Sequence, residues 1–325
     1  MAVKPDLRVN LGGLILKNPV LAASGTFGYG QEYAEFVDPA RLGAVVTKGI
    51  SLQPRPGNPP PRIIETPAGM INAIGLENVG LEAFVRDKLP WLVERGAVVI
   101  VNILGESVEE YAALAEGLDR AEGAAMIEVN VSCPNVAGGG LAFGTDPDAT
   151  ARVVRAVVDS TSLPVMVKLT PLVTDIVAVA QAAVDAGAAA LSLINTVPAM
   201  AVDLASRQPA LGNVVGGLSG PAVKPIALRL VWQTAGALAA PVVGLGGIMT
   251  ARDALEFLLV GAAAVQVGTA NFVNPRACLD VLEGIEHYFR QNDLPDLSAL
   301  VGRLEVQGFP SRDLNQSQRQ EEKKR

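Results

Sequence analysis

Histidine is almost absent from this chain, and His287 is the only one. It stands at residues 280–290 beside Glu283 and Glu286, in a helical pattern that places it on a helix surface. A lone surface histidine excludes a histidine-based metal centre and a cysteine–histidine dyad. Cysteine is nearly as scarce. Cys133 and Cys278 lie far apart, which is neither a disulfide framework nor an iron–sulfur spacing, so a reducing cytosol is expected. Positive charge is in deficit, with 26 Lys and Arg against 33 Asp and Glu and a formal net charge of −7, so nucleic acid is not an expected partner. Long apolar runs are missing as well. The most apolar region, residues 176–194, is broken by Gln181, Asp185 and Gly187 and reads as a buried helix followed by a strand. The opening residues 1–6 carry no signal-peptide core and no membrane anchor, and a cytoplasmic globular protein is the expectation.

What is present is a repeat of architecture. Half of the 325 residues are hydrophobic, enough for one barrel-sized domain. Short apolar runs end in a polar residue or glycine: 20–23 before Ser24, 44–47 before Lys48, 98–101 before Asn102 and 126–129 before Asn130. The series continues with 165–167 before Lys168, 190–194 before Asn195, 242–245 before Gly246 and 264–267 before Gly268. Helical patterns at 108–120, 148–160, 175–186, 223–238 and 251–260 lie between them. Asp146-Pro147 is a helix start, and Gly187 and Gly261 are left-handed helix ends.

Strands without alternation suit a parallel sheet covered on both faces. Eight β/α units predict an α/β fold, a (β/α)8 TIM barrel whose strand ends converge on one mouth, with a doubly wound open sheet as the runner-up. Residues 7–9 and 14–16 around Gly12-Gly13 predict an N-terminal hairpin plug. The connections 51–81 and 196–220 are too long for plain turns and are expected to lie functionally over the C-terminal mouth. Residues 1–310 form a single domain in this reading, and 311–325 a tail expected to fray.

The chemistry centres on Glu128-Val129-Asn130-Val131-Ser132-Cys133-Pro134-Asn135, followed by Gly138-Gly139-Gly140. A strand that hands over to a glycine-rich loop there presents a thiol amid polar neighbours. A buried, packing role for Cys133 is opposed by Asn130, Ser132 and Asn135, which would need partners in a dry core. Residues 136–143 are a candidate lid. Gly244-Leu245-Gly246-Gly247 after the seventh run and Gly268-Thr269 after the eighth point to a phosphate site. A Rossmann fingerprint fails there, because Met249 replaces its third glycine and no acidic residue stands near Gln266. A phosphorylated cofactor without a Rossmann fold points to FMN.

Lys48 and Lys168 would bring positive potential to the mouth, and Asn72, Asn102, Asn130 and Asn195 the donors and acceptors that a planar amide-rich ligand requires. Cys278 reads as a packing residue, and Trp91, Trp232 and Phe289 as core or interface residues. The base in the site is then Cys133 or a lysine.

These motifs together resemble the dihydroorotate dehydrogenases. The resemblance rests on residues 130–135, Thr47-Lys48, residues 72–76, Val167-Lys168-Leu169, Ile194-Asn195-Thr196 and residues 216–220, and it spans about Leu7 to Leu304. The cysteine is similar to that of the class 1 enzymes, because the membrane-bound class 2 uses a serine. Residues 89–92, 143–147 and 207–209 look most like subclass 1B. Departures from the family pattern are small, a valine at 131 and a glycine at 49.

The resemblance implies oxidation of (S)-dihydroorotate to orotate in pyrimidine synthesis, with Cys133 and Lys48 as catalytic residues. FMN would be held by Ser24, Lys48, Gly49, Asn102, Asn130, Lys168, Ile194, Gly220, Gly246, Gly247, Gly268 and Thr269. The substrate would be held by Lys48, Asn72, Ala73, Ile74, Gly75, Leu76, Asn130, Asn195 and Thr196, with no metal. The implied partner is an electron-transfer subunit carrying FAD and a [2Fe-2S] cluster, in a heterotetramer that reduces NAD. A fumarate-dependent class 1A enzyme and a dihydropyrimidine dehydrogenase are the alternatives.

Overall fold

A computed structural model describes residues 5–132 and 143–306. Eight parallel strands close into a barrel: β1 (Val20–Ala22), β2 (Ala44–Val46), β3 (Val99–Ile103), β4 (Ala124–Asn130), β5 (Val165–Leu169), β6 (Ala190–Leu193), β7 (Val242–Leu245) and β8 (Ala264–Val267). Each pairs with its sequence neighbours, and β8 returns to β1 through Val265 opposite Val20. Closure rules out the open doubly wound sheet. All eight expected runs are strands, because branched residues packed on both faces stabilise an extended chain and helices cover the outside.

Helices Val108–Asp119, Pro147–Val158 and Ile176–Asp185 pack side by side on that outer surface. Asp146 caps the second of them by accepting from the Ala149 N–H at 2.7 Å, and Pro147 takes its first turn, an arrangement that contributes about 1 kcal/mol. Gly187 and Gly261 end helices at φ of 105° and 115°, as expected. The apolar region 176–194 is helix Ile176–Asp185 and strand β6, and no described helix is long and apolar enough to cross a membrane. Between β1 and β2 there is no α-helix, only the short turns Gln31–Tyr33 and Pro39–Arg41, where Phe27 stacks on Tyr33 at 4.5 Å.

The N-terminal hairpin pairs Val9–Leu11 with Leu14–Leu16, so its first strand starts two residues later than residues 7–9. The two-residue Gly12-Gly13 turn, with both φ positive, forces the ladder to run up to Leu11 opposite Leu14. Gly12 lies against the start of β6, where a Cβ would come 2.3 Å from the Ala189 carbonyl oxygen.

At the opposite end, the two long connections join in one antiparallel sheet. Its order is Val197–Ala199, Gly216–Ser219, Gly69–Asn72, Ile63–Thr66. The tail 311–325 lies outside the described residues.

Candidate active site

Strand parity decides which side chains enter the barrel. On β4, Glu128 points to the interior, because its carboxylate is bonded from β6 and from β8 on the opposite wall. Glu128 is 0% exposed. Its Oε1 accepts from Ser192 Oγ at 2.8 Å and Gln266 Nε2 at 2.7 Å. Its Oε2 accepts from Asn102 Nδ2 at 2.6 Å and lies 3.9 Å from Lys168 Nζ. A buried charge needs such a set, and losing one partner of a buried pair typically costs about 3–5 kcal/mol. Gln266 Oε1 is the one buried side-chain oxygen or nitrogen without a partner among the described residues.

Above this layer the strand ends open into a cavity of about 610 Å³, a size suited to one cofactor and a small substrate. Lys168, 5% exposed, donates to Ser24 Oγ at 2.8 Å, which ties β5 to the end of β1. Asn102 is turned by Glu128 toward Gly49, where any Cβ would lie 2.7 Å from Asn102 Oδ1. Glycine at 49 is therefore the residue that this asparagine leaves room for. Asn130 Oδ1 accepts from Asn195 Nδ2 at 3.3 Å and from the Ser132 N–H at 3.1 Å. That arrangement turns the Asn130 amide nitrogen away from both. The Asn130 carbonyl accepts from the Tyr111 hydroxyl at 2.7 Å, and Ser132 Oγ donates to the Lys168 carbonyl at 3.1 Å. The last residues of β4 before Cys133 are thus held on both sides.

One end of the cavity suits a phosphate. Gly246 and Gly247 have φ of 122° and 77°. A Cβ on Gly247 would sit 2.8 Å from the Gly220 carbonyl and 2.9 Å from the Lys224 nitrogen, so the loop after β7 packs directly on the entry to helix Lys224–Ala237. Thr269 Oγ1 donates to Ser219 Oγ at 2.8 Å beside Gly268. The nearby Lys224 ammonium is committed elsewhere, to Asp253 at 2.6 Å and Glu256 at 2.8 Å, and these hydrogen bonds raise its pKa. Burial works against ionisation of Asp253, yet the Lys224 hydrogen bond and the Met249 and Thr250 N–H groups keep its carboxyl below the usual range. Backbone groups and hydroxyls, with no lysine, are what this end offers.

The sheet over the mouth supplies the other wall. Asn72 Nδ2 donates to the Gly217 carbonyl at 3.2 Å, which joins the two long connections at the cavity. Residues 73–76 follow, with Leu76 at φ 59°, and Asn78 bonds Ser51 and the Leu76 carbonyl to hold that turn. Lys48 reaches the same cavity from the end of β2, and no carboxylate among the described residues pairs with it. Thr196 donates its N–H to Asn195 Oδ1 at 2.8 Å.

Every described residue of the expected set lines this single cavity, from Ser24, Lys48 and Gly49 through Thr269. Cys133, the expected base, lies outside the described residues, as does most of the candidate lid 136–143. Residue-pattern reasoning gave no role to Glu128, Ser192 and Gln266. The available signal was a charged or amide residue inside an otherwise apolar strand, in the same parity as a site residue two positions on, as Glu128 is to Asn130.

Cys278 is buried and donates to Asn271 Oδ1 at 3.3 Å; burial pushes its thiol up to about 12, which makes it the inert packing cysteine expected. His287 is exposed on helix Ala277–Gln291, and Phe289 is buried. Trp91 is half-buried with Arg95 stacked on it at 3.9 Å, whereas Trp232 is largely exposed. Among the described residues, no three His, Cys, Asp or Glu side chains are grouped to hold a metal ion.

Comparison with known proteins agrees with this geometry. A family model described as dihydroorotate dehydrogenase matches residues 6–289. The dihydroorotate dehydrogenase B (NAD(+)) catalytic subunit of Geotalea daltonii is 57% identical over 303 residues, 93% of this chain and 99% of that one. Its counterpart in Pelobacter propionicus is 57% identical over 93% of this chain and 100% of its own. That of Geobacter metallireducens is 56% identical over 93% and 99%. The chain belongs to the dihydroorotate dehydrogenase family.

Proposed function

We propose that this chain is the catalytic subunit of a two-subunit enzyme that oxidises (S)-dihydroorotate to orotate and passes the electrons to NAD. The observation that carries this reading is the convergence of the expected residues on one cavity, in a chain matched along 93% of its length by NAD(+)-linked catalytic subunits. Its donors fit FMN: backbone without Cβ and two hydroxyls at one end, ammonium and carboxamide groups at the other. When bound, FMN supplies the acceptor for the hydride that leaves substrate C6.

The chain's own residues do the rest. Ser24, Asn102, Asn130, Lys168 and Ile194 hold the ring, while Gly220, Gly246, Gly247, Gly268 and Thr269 hold the phosphate. Lys48, the one lysine lining the mouth without a carboxylate partner among the described residues, meets the substrate carboxylate, and Asn72, Asn130, Asn195 and Thr196 meet its amide edges. Residues 73–76 shape the pocket around it, and Gly49 lets Lys48 and Asn102 share the floor. Cys133, as thiolate, takes the proton from C5, next to the carbonyl. Loss of that proton and of the C6 hydride leaves the double bond of orotate. A free thiol titrates near about 8.5, so the rate of flavin reduction climbs as pH rises toward that value and flattens above it.

Because the phosphate end offers no free lysine, binding there depends on close backbone approach. Residues 1–310 act as one catalytic domain with 311–325 as a tail, and the setting is cytoplasmic. FAD and a [2Fe-2S] cluster belong to the partner subunit, with two copies of each chain in the assembly.

Anaerobic addition of dihydroorotate to the yellow purified chain tests this. Bleaching of the flavin absorbance is expected, with no bleaching by dihydrouracil and no turnover with fumarate. A sample bleached by dihydrouracil instead, or one whose flavin ignores dihydroorotate, would refute it.

A further inference from the structure

The barrel layer beneath the mouth carries a charge with no part in the reading above. The two oxygens of Glu128 divide their partners by strand. Oε1 is anchored to Ser192 on β6 and Gln266 on β8, while Oε2 serves Asn102 on β3 and Lys168 on β5; Gln266, Asn102 and Lys168 line the cavity. Neutral groups could satisfy three hydrogen-bond donors in a core at smaller desolvation cost than an ion. Here a full carboxylate is kept, fully buried, and Lys168 is the one cation paired with it among the described residues.

We propose that Glu128 is a positioning residue that sets the potential of the flavin. It holds the Lys168 ammonium and the Asn102 carboxamide in place, and its negative charge offsets that of Lys168. This rests on the reading that FMN occupies the mouth. The flavin ring gains charge on reduction, and in a low-dielectric site that charge is favoured by Lys168 and opposed by Glu128. Balanced against each other, the pair keeps the bound flavin from becoming too strong an oxidant to hand its electrons onward.

Glu128→Gln removes the charge at constant shape, and the surroundings can accept an amide. The Ser192 hydroxyl can rotate to accept, and the Gln266 amide can turn over to offer Oε1, the atom now without a partner. The ammonium of Lys168 is then unopposed. At a fixed potential the ratio of reduced to oxidised flavin rises about tenfold, an upward shift of about 30 mV for a two-electron couple. Ser192→Ala keeps the carboxylate but strips one donor from it, leaving more of its charge to act on Lys168. That variant shifts the potential downward by a smaller amount.

The test measures the midpoint potential of the FMN-loaded chain against redox dyes for wild type and both variants, with FMN affinity of the apoprotein beside it. Opposite shifts in the two variants support the proposal. Weakened FMN binding with both potentials at the wild-type value assigns Glu128 a purely structural role and overturns it. If Glu128→Gln does not fold, Ser192→Ala decides alone: a downward shift supports the proposal and an unchanged potential overturns it. A wild-type chain that binds no FMN sinks this inference together with the reading of the mouth, whereas FMN bound at an unmoved potential sinks this inference only.

Discussion

The two ends of the barrel are built from the same eight strands and do opposite work. At the N-terminal end the hairpin presses Gly12 onto Ala189, and closure there is a matter of backbone packing. At the C-terminal end each strand runs out into a serine, a lysine, an asparagine or a glycine, and the covering sheet stands off to leave about 610 Å³. Tight glycine packing therefore stabilises the fold at one end and shapes the cavity wall at the other. The polar layer in the barrel core is held by pairing across it, Ser192 and Gln266 both donating to Glu128.

The largest effect should come from the mouth. Cys133→Ala should retain FMN while flavin reduction by dihydroorotate at neutral pH falls by about 10²–10⁴-fold, the range for loss of a general base. Stopped-flow absorbance reads both, and an unimpaired rate would remove Cys133 from the mechanism. Gly247→Ala comes next. Its Cβ would press on the Gly220 carbonyl and on the first turn of helix Lys224–Ala237, so FMN affinity, measured by fluorescence of released flavin, should drop more than about tenfold. Gly12→Ala is the matching change at the other end, with comparable crowding against Ala189. It should cost about 2–4 kcal/mol of stability through strain and a backbone clash, lowering Tm by several degrees, with FMN affinity and the dihydroorotate KM unchanged. If Gly12→Ala weakened FMN binding as much as Gly247→Ala, the division of labour between the two ends would be wrong.

The smallest effect belongs to Cys278. Its folded pKa is raised to about 12 by burial, above the unfolded thiol's value, so between those two values the unfolded chain has lost a proton that the folded chain keeps. Stability therefore falls as pH rises through that window, by up to about 1.4 kcal/mol per pH unit. Denaturant titrations of Cys278→Ala at pH 9 and above should show a shallower alkaline decline, with the pH profile of flavin reduction unchanged. An equally steep decline would contradict the burial argument.

Much of this was legible in the residues. Apolar runs of three to five that stop at a polar residue or glycine identify parallel strands and the mouth in one pattern, because burial on both faces and convergence of strand ends impose both features. The covering sheet was not legible. Its central strands Gly69–Asn72 and Gly216–Ser219 are short, glycine-bearing and mostly half-buried, and they pair across more than a hundred residues of chain, which no local periodicity reports. The Glu128 layer escaped for a different reason. A carboxylate in a strand has no local mark of its partners, which come from β3, β5, β6 and β8 and meet only when the barrel closes. The hairpin was displaced by two residues because leucines on either side of Val9 fit both registers, and only the turn geometry chooses between them.

The most direct test of the account is a crystal structure of the FMN-loaded chain with orotate. The account requires the FMN phosphate against Gly247 and Gly268, the ring over Lys168 and Asn102, and orotate between that ring and Asn72, with its carboxylate at Lys48. A phosphate bound elsewhere on the chain, or orotate outside the cavity beneath the covering sheet, would contradict it.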